Sequence, residues 1–422
     1  MLPLALLALA PLRFHFGASE FANATYHVVC LTGYAACTNE VFTKFWNEEY
    51  HVTPADGARL DEWKAVMGRL ENAQPPFAPA PFLPNYSSYY PSLALRTRIL
   101  STAMASKSGA DFARRADFVK VEDARRLGAV LDHFERRLHP WWKASGERYA
   151  RKRIREIESQ ARKLGAVKLA SEAAAFLETR FAEREVFVHA IPSPNPKSKN
   201  ATAIPLANHL CVELTDSFEP AAAAAVSLHE LIHSMYDAAP PERHAALRRE
   251  FLNSAEPAAL PFYEFLNEAV ATGMQLLLLD RNGKKDDDPY HDPFIPRLGM
   301  AAMPLIRDAL SRRGSIFDGF AQSYLEAGGA ALKEETQGPG FLLSSVCILP
   351  DKRPAEAEAV FQRVFAPRFT TTTEEECAKV PDMNTIRLVL GGERAIATIQ
   401  PSSANHSRCQ TSQTAPKRAA QT

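Results

Sequence analysis

Apolar and polar positions along this chain follow several successive rhythms. Residues 24–32 (ATYHVVCLT) are β-branched and aromatic, which predicts a strand. Residues 39–72 take a helical spacing that sets Trp46 and Trp63 on apolar faces. A Pro-rich loop, residues 74–91, follows with the aromatic cluster Tyr86, Tyr89 and Tyr90. Residues 92–183 then read as largely helical. Their last part, 147–183, is Ala-rich, dense in charge of both signs and free of Pro, the pattern of a long solvated helix that serves as scaffold.

Shorter periods come next. Residues 185–191 (EVFVHAI) predict a strand, 192–200 a turn-rich loop and 203–213 (AIPLANHLCVE) a second strand, together a hairpin-like pair. Helices are expected over 215–238 and 261–280, with a connecting helix and loop at about 241–260, a charged connection at 281–289, and further helices at 299–312 and 316–333. From residue 337 the rhythm changes to a strand at 341–349, a helix at 355–365 and a strand at 385–390. The Ser/Thr/Gln/Ala-rich end beyond residue 400 predicts disorder. The expected class is α+β and predominantly helical, with a short sheet ahead of the 215–238 helix. The expected organisation is a leader at 1–18, a main domain at 19–335, a small α/β subdomain at 336–400 and a tail at 401–422.

Composition narrows the function classes. Hydrophobic residues make up 46% and charged residues 23% of 422, as in an ordinary globular protein. Lys+Arg and Asp+Glu both number 49, so no global field draws the chain to nucleic acid or an anionic membrane. Residues 1–12 form an apolar run of signal-peptide character, too short to cross a bilayer. Cleavage is expected after Ala8-Leu9-Ala10 or around Gly17-Ala18-Ser19, leaving a secreted or periplasmic chain without an integral membrane segment. A buried N-terminal strand or helix is the other reading. The six cysteines contain no CxxC pair, and Cys30 and Cys37 are spaced for a local loop.

The chemistry lies in Ser227-Leu228-His229-Glu230-Leu231-Ile232-His233. Residues four apart on a helix share a face, so His229 and His233 aim two imidazoles at one Zn²⁺. Glu230 flanks that face, within reach of a water that the metal acidifies, and is the candidate general base. The context is helical: Thr215-Asp216-Ser217 supplies caps, Pro220 suits a first turn, and Ala239-Pro240-Pro241 stops the helix. Leu228, Leu231 and Ile232 form its packing surface.

A zinc site needs a third ligand and an open fourth position. The extension that would supply a third His requires Gly at 236 and His at 239, where this chain has Tyr236 and Ala239. A later helix offers Glu268 within Asn267-Glu268-Ala269-Val270-Ala271, 34 residues beyond His233. Glu264, one turn earlier, is the competing carboxylate. Glu264, Glu268, Thr272 and Gln275 fall on one stripe of that helix. Ala269, Ala271 and Gly273 are small enough to let it approach the motif helix. Glu264, Asn267 and Asp237 are candidates to orient a ligand.

This H-E-x-x-H helix followed by N-E-A-V-A-T resembles the gluzincin metallopeptidases, zincins with a Glu third ligand, over about residues 203–280. The resemblance implies a zincin-like core, zinc on His229, His233 and Glu268, Glu230 as base, peptide or protein substrates, and an active-site edge strand near 208–214. The G-x-M-E-N signature of the aminopeptidase branch is absent from the sequence, as is a downstream Asp…His pair. For the residue that stabilises the oxyanion, Tyr290 and His291 are the candidates, with His209 a weaker one. Two other readings stand beside peptide hydrolysis: a catalytically silent zincin-fold binding or scaffold protein, and a zinc hydrolase of a non-peptide amide or ester.

Overall fold

A computed structural model of the chain describes residues 12–33, 39–72, 91–179, 185–199, 201–256, 258–280 and 294–333, with four further strands between 345 and 400. Strand β1 (Arg13–Gly17) precedes helices α1 (Glu20–Thr32) and α2 (Asn39–Lys44); α2 runs into a π turn at Phe45–Glu49. Next come α3 (Pro54–Asn72), α4 (Pro91–Met104), α5 (Gly109–Arg115) and α6 (Val121–Trp141). A second π turn, Trp142–Gly146, joins α6 to α7 (Glu147–Leu164), and α8 (Ala166–Phe176) follows. Strands β2 (Glu185–Pro192), β3 (Ala203–Leu206) and β4 (His209–Leu214) lead into α9 (Pro220–Asp237), α10 (Pro241–Asn253), α11 (Ala259–Asp280), α12 (Ile295–Arg312) and α13 (Phe320–Ala331). The C-terminal strands are β5 (Ser345–Pro350), β6 (Phe369–Thr371), β7 (Asn384–Gly391) and β8 (Arg394–Gln400).

The protein is predominantly helical around a small mixed sheet of order β1-β2-β4-β3. β1, β2 and β4 run parallel and β3 returns antiparallel at the edge. Each face of the sheet meets its own helical layer. Val186, Val188, Ala190, Leu210, Val212 and Leu214 point into a core shared with α9, α11 and α12. Ile191, Ile204, Leu206 and Cys211 point into a second core built with α1, α3 and α6. The second sheet has the order β6-β5-β7-β8, with β5 parallel to both neighbours and β8 antiparallel to β7. The helix expected at 355–365 and the tail lie outside the described residues. Among the described residues, no helix is long and apolar enough to cross a membrane.

Several expectations are corrected. Residues 24–32 are helical, not a strand: Ser19 caps α1 by accepting from the Ala22 N–H, and Gly33 ends it at φ 73° with its N–H on the Cys30 carbonyl. The apolar run is buried on nearly every side of that helix, which is why it carried no period that told helix from strand. Residues 185–191 and 203–213 do not form a hairpin with each other. β2 and β4 are parallel, and the hairpin lies within 203–213, where β3 turns back through Ala207 (φ 56°) and Asn208 into β4.

The edge strand is therefore β3, with 209–214 internal. The long solvated helix breaks at Gly165, whose φ of 73° leaves the right-handed helical region. At the other end of the sheet, Arg13–Gly17 pairs in register with residues 185–189. A cut near Ser19 would remove this strand, whereas a cut after Ala10 would keep it. Cys30 is disulfide-bonded; Cys37 lies outside the described residues.

Candidate metal centre

Helix α9 begins with Pro220 at its first position and ends at Asp237. Its N-cap is Glu219, without a side-chain bond, so the caps expected from Thr215-Asp216-Ser217 do not act there. Those residues build a turn instead, with Thr215 Oγ1 and Ser217 Oγ 3.2 Å apart and Ser217 donating to the Ser198 carbonyl. Leu228, Leu231 and Ile232 are at most 2% exposed and anchor the helix on the sheet. Each such burial stabilises by roughly 1.5–3 kcal/mol. The adjoining face of the helix carries His229 and His233.

α11 packs against α9 and brings Glu268 to the same place. His229 Nε2 and His233 Nε2 are 2.9 Å apart, and Glu268 Oε2 is 3.5 Å from the first and 3.6 Å from the second. A point equidistant from three atoms so spaced lies about 2.0 Å from each, the length of a Zn–N or Zn–O bond. The side chains are 4%, 16% and 21% exposed, which leaves one open side to the cluster. When both Nε2 atoms present lone pairs, three such atoms facing one another away from bulk water are stabilised by a cation among them. The donor set, two imidazoles and one carboxylate, suits zinc and also other divalent transition ions. Among the described residues this is the one His/Cys/Asp/Glu group that close together.

Glu264 is not part of that group, so Glu268 is the carboxylate the fold delivers. Asn267 and Asp237 both act on His233: Asn267 through a side-chain hydrogen bond and Asp237 through its charge. Burial nonetheless dominates and lowers the His233 pKa, which keeps the ring neutral and its lone pair available. Glu230, half-buried, stays out of the ligand set. Its pKa is pushed well above the usual carboxylate range, first by desolvation and then by the charge of Glu268. The two carboxyl groups therefore feel each other across the place where a cation fits.

Gly273 does not serve the approach to α9. It faces α12, where an added methyl would meet the Ile306 side chain at 2.8 Å, and Gly299 of α12 sits against Thr272. Gly273 and Gly299 thus let α11 and α12 approach closely. One site neighbour had no signal in the sequence. Tyr26 of α1, fully buried, donates to Glu213 Oε1 at 2.8 Å. Burial raises its pKa first, and the charges of Glu213, Cys211 and Glu230 add to this. Glu213 also accepts from the Thr202 N–H at 3.1 Å. Read as part of a strand, Tyr26 had no reason to approach the motif.

His209 does not join the metal cluster; it pairs with His189 on the neighbouring strand, their nitrogens 2.8 Å apart. Tyr290 and His291 lie outside the described residues. No protein-family model, curated protein or solved structure matches the chain.

Proposed function

We propose that this protein is a zinc-dependent peptidase of gluzincin type, with His229, His233 and Glu268 holding the metal and Glu230 as general base. The observation that carries the reading is the convergence of two imidazole nitrogens and one carboxylate oxygen on a single point, with a fourth side open. Zinc, when bound, supplies Lewis acidity that acidifies water and polarises a carbonyl oxygen.

The protein's own groups do the rest. His233 stays neutral and holds the ion together with His229, Asn267 orients the His233 ring, and Glu268 contributes charge. Glu230 takes a proton from the attacking water on its carboxylate and returns it to the leaving amine. Desolvation first, and the charge of Glu268 second, hold the proton on Glu230; a cation held by His229, His233 and Glu268 would reduce the second of these. Strand β3 offers an edge for an extended substrate. Pro205 has no N–H, so main-chain pairing along that edge draws on fewer donors. Tyr290 and His291 are the proposed donors to the oxyanion. The apolar leader and the Cys30 disulfide fit an exported protein, with cleavage after Ala10 so that β1 is retained.

The test is metal content followed by turnover. Purified protein should carry one zinc per chain and cleave members of a peptide library. His233→Ala should lose the metal, and Glu230→Gln should keep it while hydrolysis stops. Full activity in Glu230→Gln would overturn the assignment.

A further inference from the structure

One buried polar pair stands outside the metal cluster and on the other side of the sheet. Tyr26 of α1 and Glu213 of β4 are both 0% exposed. Glu213 alternates with Cys211 on the face that meets α1, so its carboxyl group points away from α9. A buried carboxylate is costly unless its oxygens find donors. Here Oε1 accepts from the Tyr26 hydroxyl at 2.8 Å, and Oε2 accepts from the Thr202 N–H at 3.1 Å.

Thr202 immediately precedes β3, and its carbonyl accepts the Glu213 N–H at 2.9 Å. Residues so paired in an antiparallel ladder exchange both main-chain bonds. At this position the Thr202 N–H goes to the Glu213 carboxylate, so a side chain fastened to α1 closes the ladder where β3 begins. Bonded and non-bonded pairs alternate along such a ladder, which makes Ala203–Val212 and Pro205–Leu210 the non-bonded ones. The main-chain groups of Ala203 and Pro205 therefore turn to the outer edge. Pro205 has no N–H, so Ala203 is the one residue of β3 that offers an outward N–H and C=O together. It follows Thr202 directly.

We propose that Tyr26 and Glu213 are positioning residues that hold Thr202, and through it Ala203, in the register that pairs with the main chain of a peptide substrate. The substrate rests on the peptidase reading and the anchor on the fold alone, so the two are tested apart.

Hydrogen exchange tests the anchor without turnover. In full-length Tyr26→Phe the amides of residues 202–206 should exchange roughly tenfold faster than in wild type, with those of 227–233 unchanged. Glu213→Gln keeps an oxygen for the Thr202 N–H and gains an NH₂ that donates to the Tyr26 oxygen, so it should stay close to wild type. Glu213→Ala should resemble Tyr26→Phe. Steady-state cleavage of a quenched fluorogenic peptide tests the positioning. Tyr26→Phe should raise KM by roughly three- to tenfold with kcat and zinc content unchanged, as when binding common to ground and transition states is lost. A merely structural role would instead lower kcat and zinc content together as the folded fraction falls. Should Tyr26→Phe fail to fold, Thr202→Pro removes the same N–H at the start of an edge strand, where proline is tolerated, and should raise KM likewise. Unchanged exchange at 202–206, an unchanged KM, or a fall in kcat at constant KM would overturn the proposal. Wild type that cleaves no peptide would count against the peptidase reading, while the exchange contrast would still decide the anchor.

Discussion

Two pairs of close histidines sit in this protein at nearly the same separation, 2.9 Å for His229 and His233 and 2.8 Å for His189 and His209. The first pair stands on one helix, receives a carboxylate from a second helix and keeps an open side. The second bridges β2 and β4, stacks against Phe187, and has no third ligand among the described residues. Burial lowers the pKa of all three rings for which a shift is resolved, to about 3 for His189 and about 4 for His209. Close imidazoles, and burial that favours the neutral ring, are therefore found in both pairs. What separates the candidate metal centre from a core contact is the carboxylate brought in by packing.

The largest effect expected is on turnover. Glu230→Gln should reduce hydrolysis by roughly 10²–10⁴-fold, the usual worth of a general base, with zinc content unchanged. Paired with it, His209→Gln should leave both turnover and stoichiometry intact; loss of zinc in that variant would erase the contrast between the pairs. Next in size is affinity. His233→Ala and Glu268→Ala should each weaken zinc binding by more than roughly 100-fold, beyond the 10- to 100-fold typical of lost outer partners. Asn267→Ala should fall within that lower range, as read by competition with a chromophoric chelator.

Acid stability separates the pairs in another way. His27, His189 and His209 titrate far below the ordinary value of about 6.5 when folded, because burial disfavours their charged forms. Above pH 6.5 neither the folded nor the unfolded chain binds these protons, and they leave stability unchanged. As pH falls below 6.5 the unfolded chain takes them up first, so stability declines by up to about 1.4 kcal/mol per pH unit for each ring. His27 is held neutral further by the Trp46 N–H, which donates to its Nδ1 at 2.9 Å. Urea titrations between pH 4 and 6 should show a shallower slope for His209→Gln than for wild type. An identical slope would mean that His209 is protonated in the fold.

The smallest effect concerns the helix that carries Glu268. Gly299→Ala places a methyl against Thr272 and should destabilise by roughly 1–3 kcal/mol through overpacking. It should also weaken zinc binding if the α11–α12 contact positions Glu268. Normal affinity in a destabilised variant would separate those two roles.

Local spacing made much of the site legible. The four-residue interval of His229 and His233 guarantees a shared helical face wherever the helix is placed, and Pro220 and Pro240 bounded that helix well. The Asn267-Glu268-Ala269 segment marked a candidate ligand, yet Glu264 lay on the same stripe, and only the rotation of α11 against α9 set Glu268 beside the histidines. Residues 24–32 misled because a fully buried helix shows no polar face to reveal its period.

What the chain carries on its own is therefore the chemistry within single helices, since hydrogen bonds between residues four apart fix those geometries independently of context. Everything that required two elements to meet was settled by packing: Glu268 beside the histidines, Tyr26 beside Glu213, the parallel pairing of β1 and β2, and the antiparallel edge. Such meetings depend on which apolar surfaces cover one another, and that information is spread over the whole core instead of residing in any one motif.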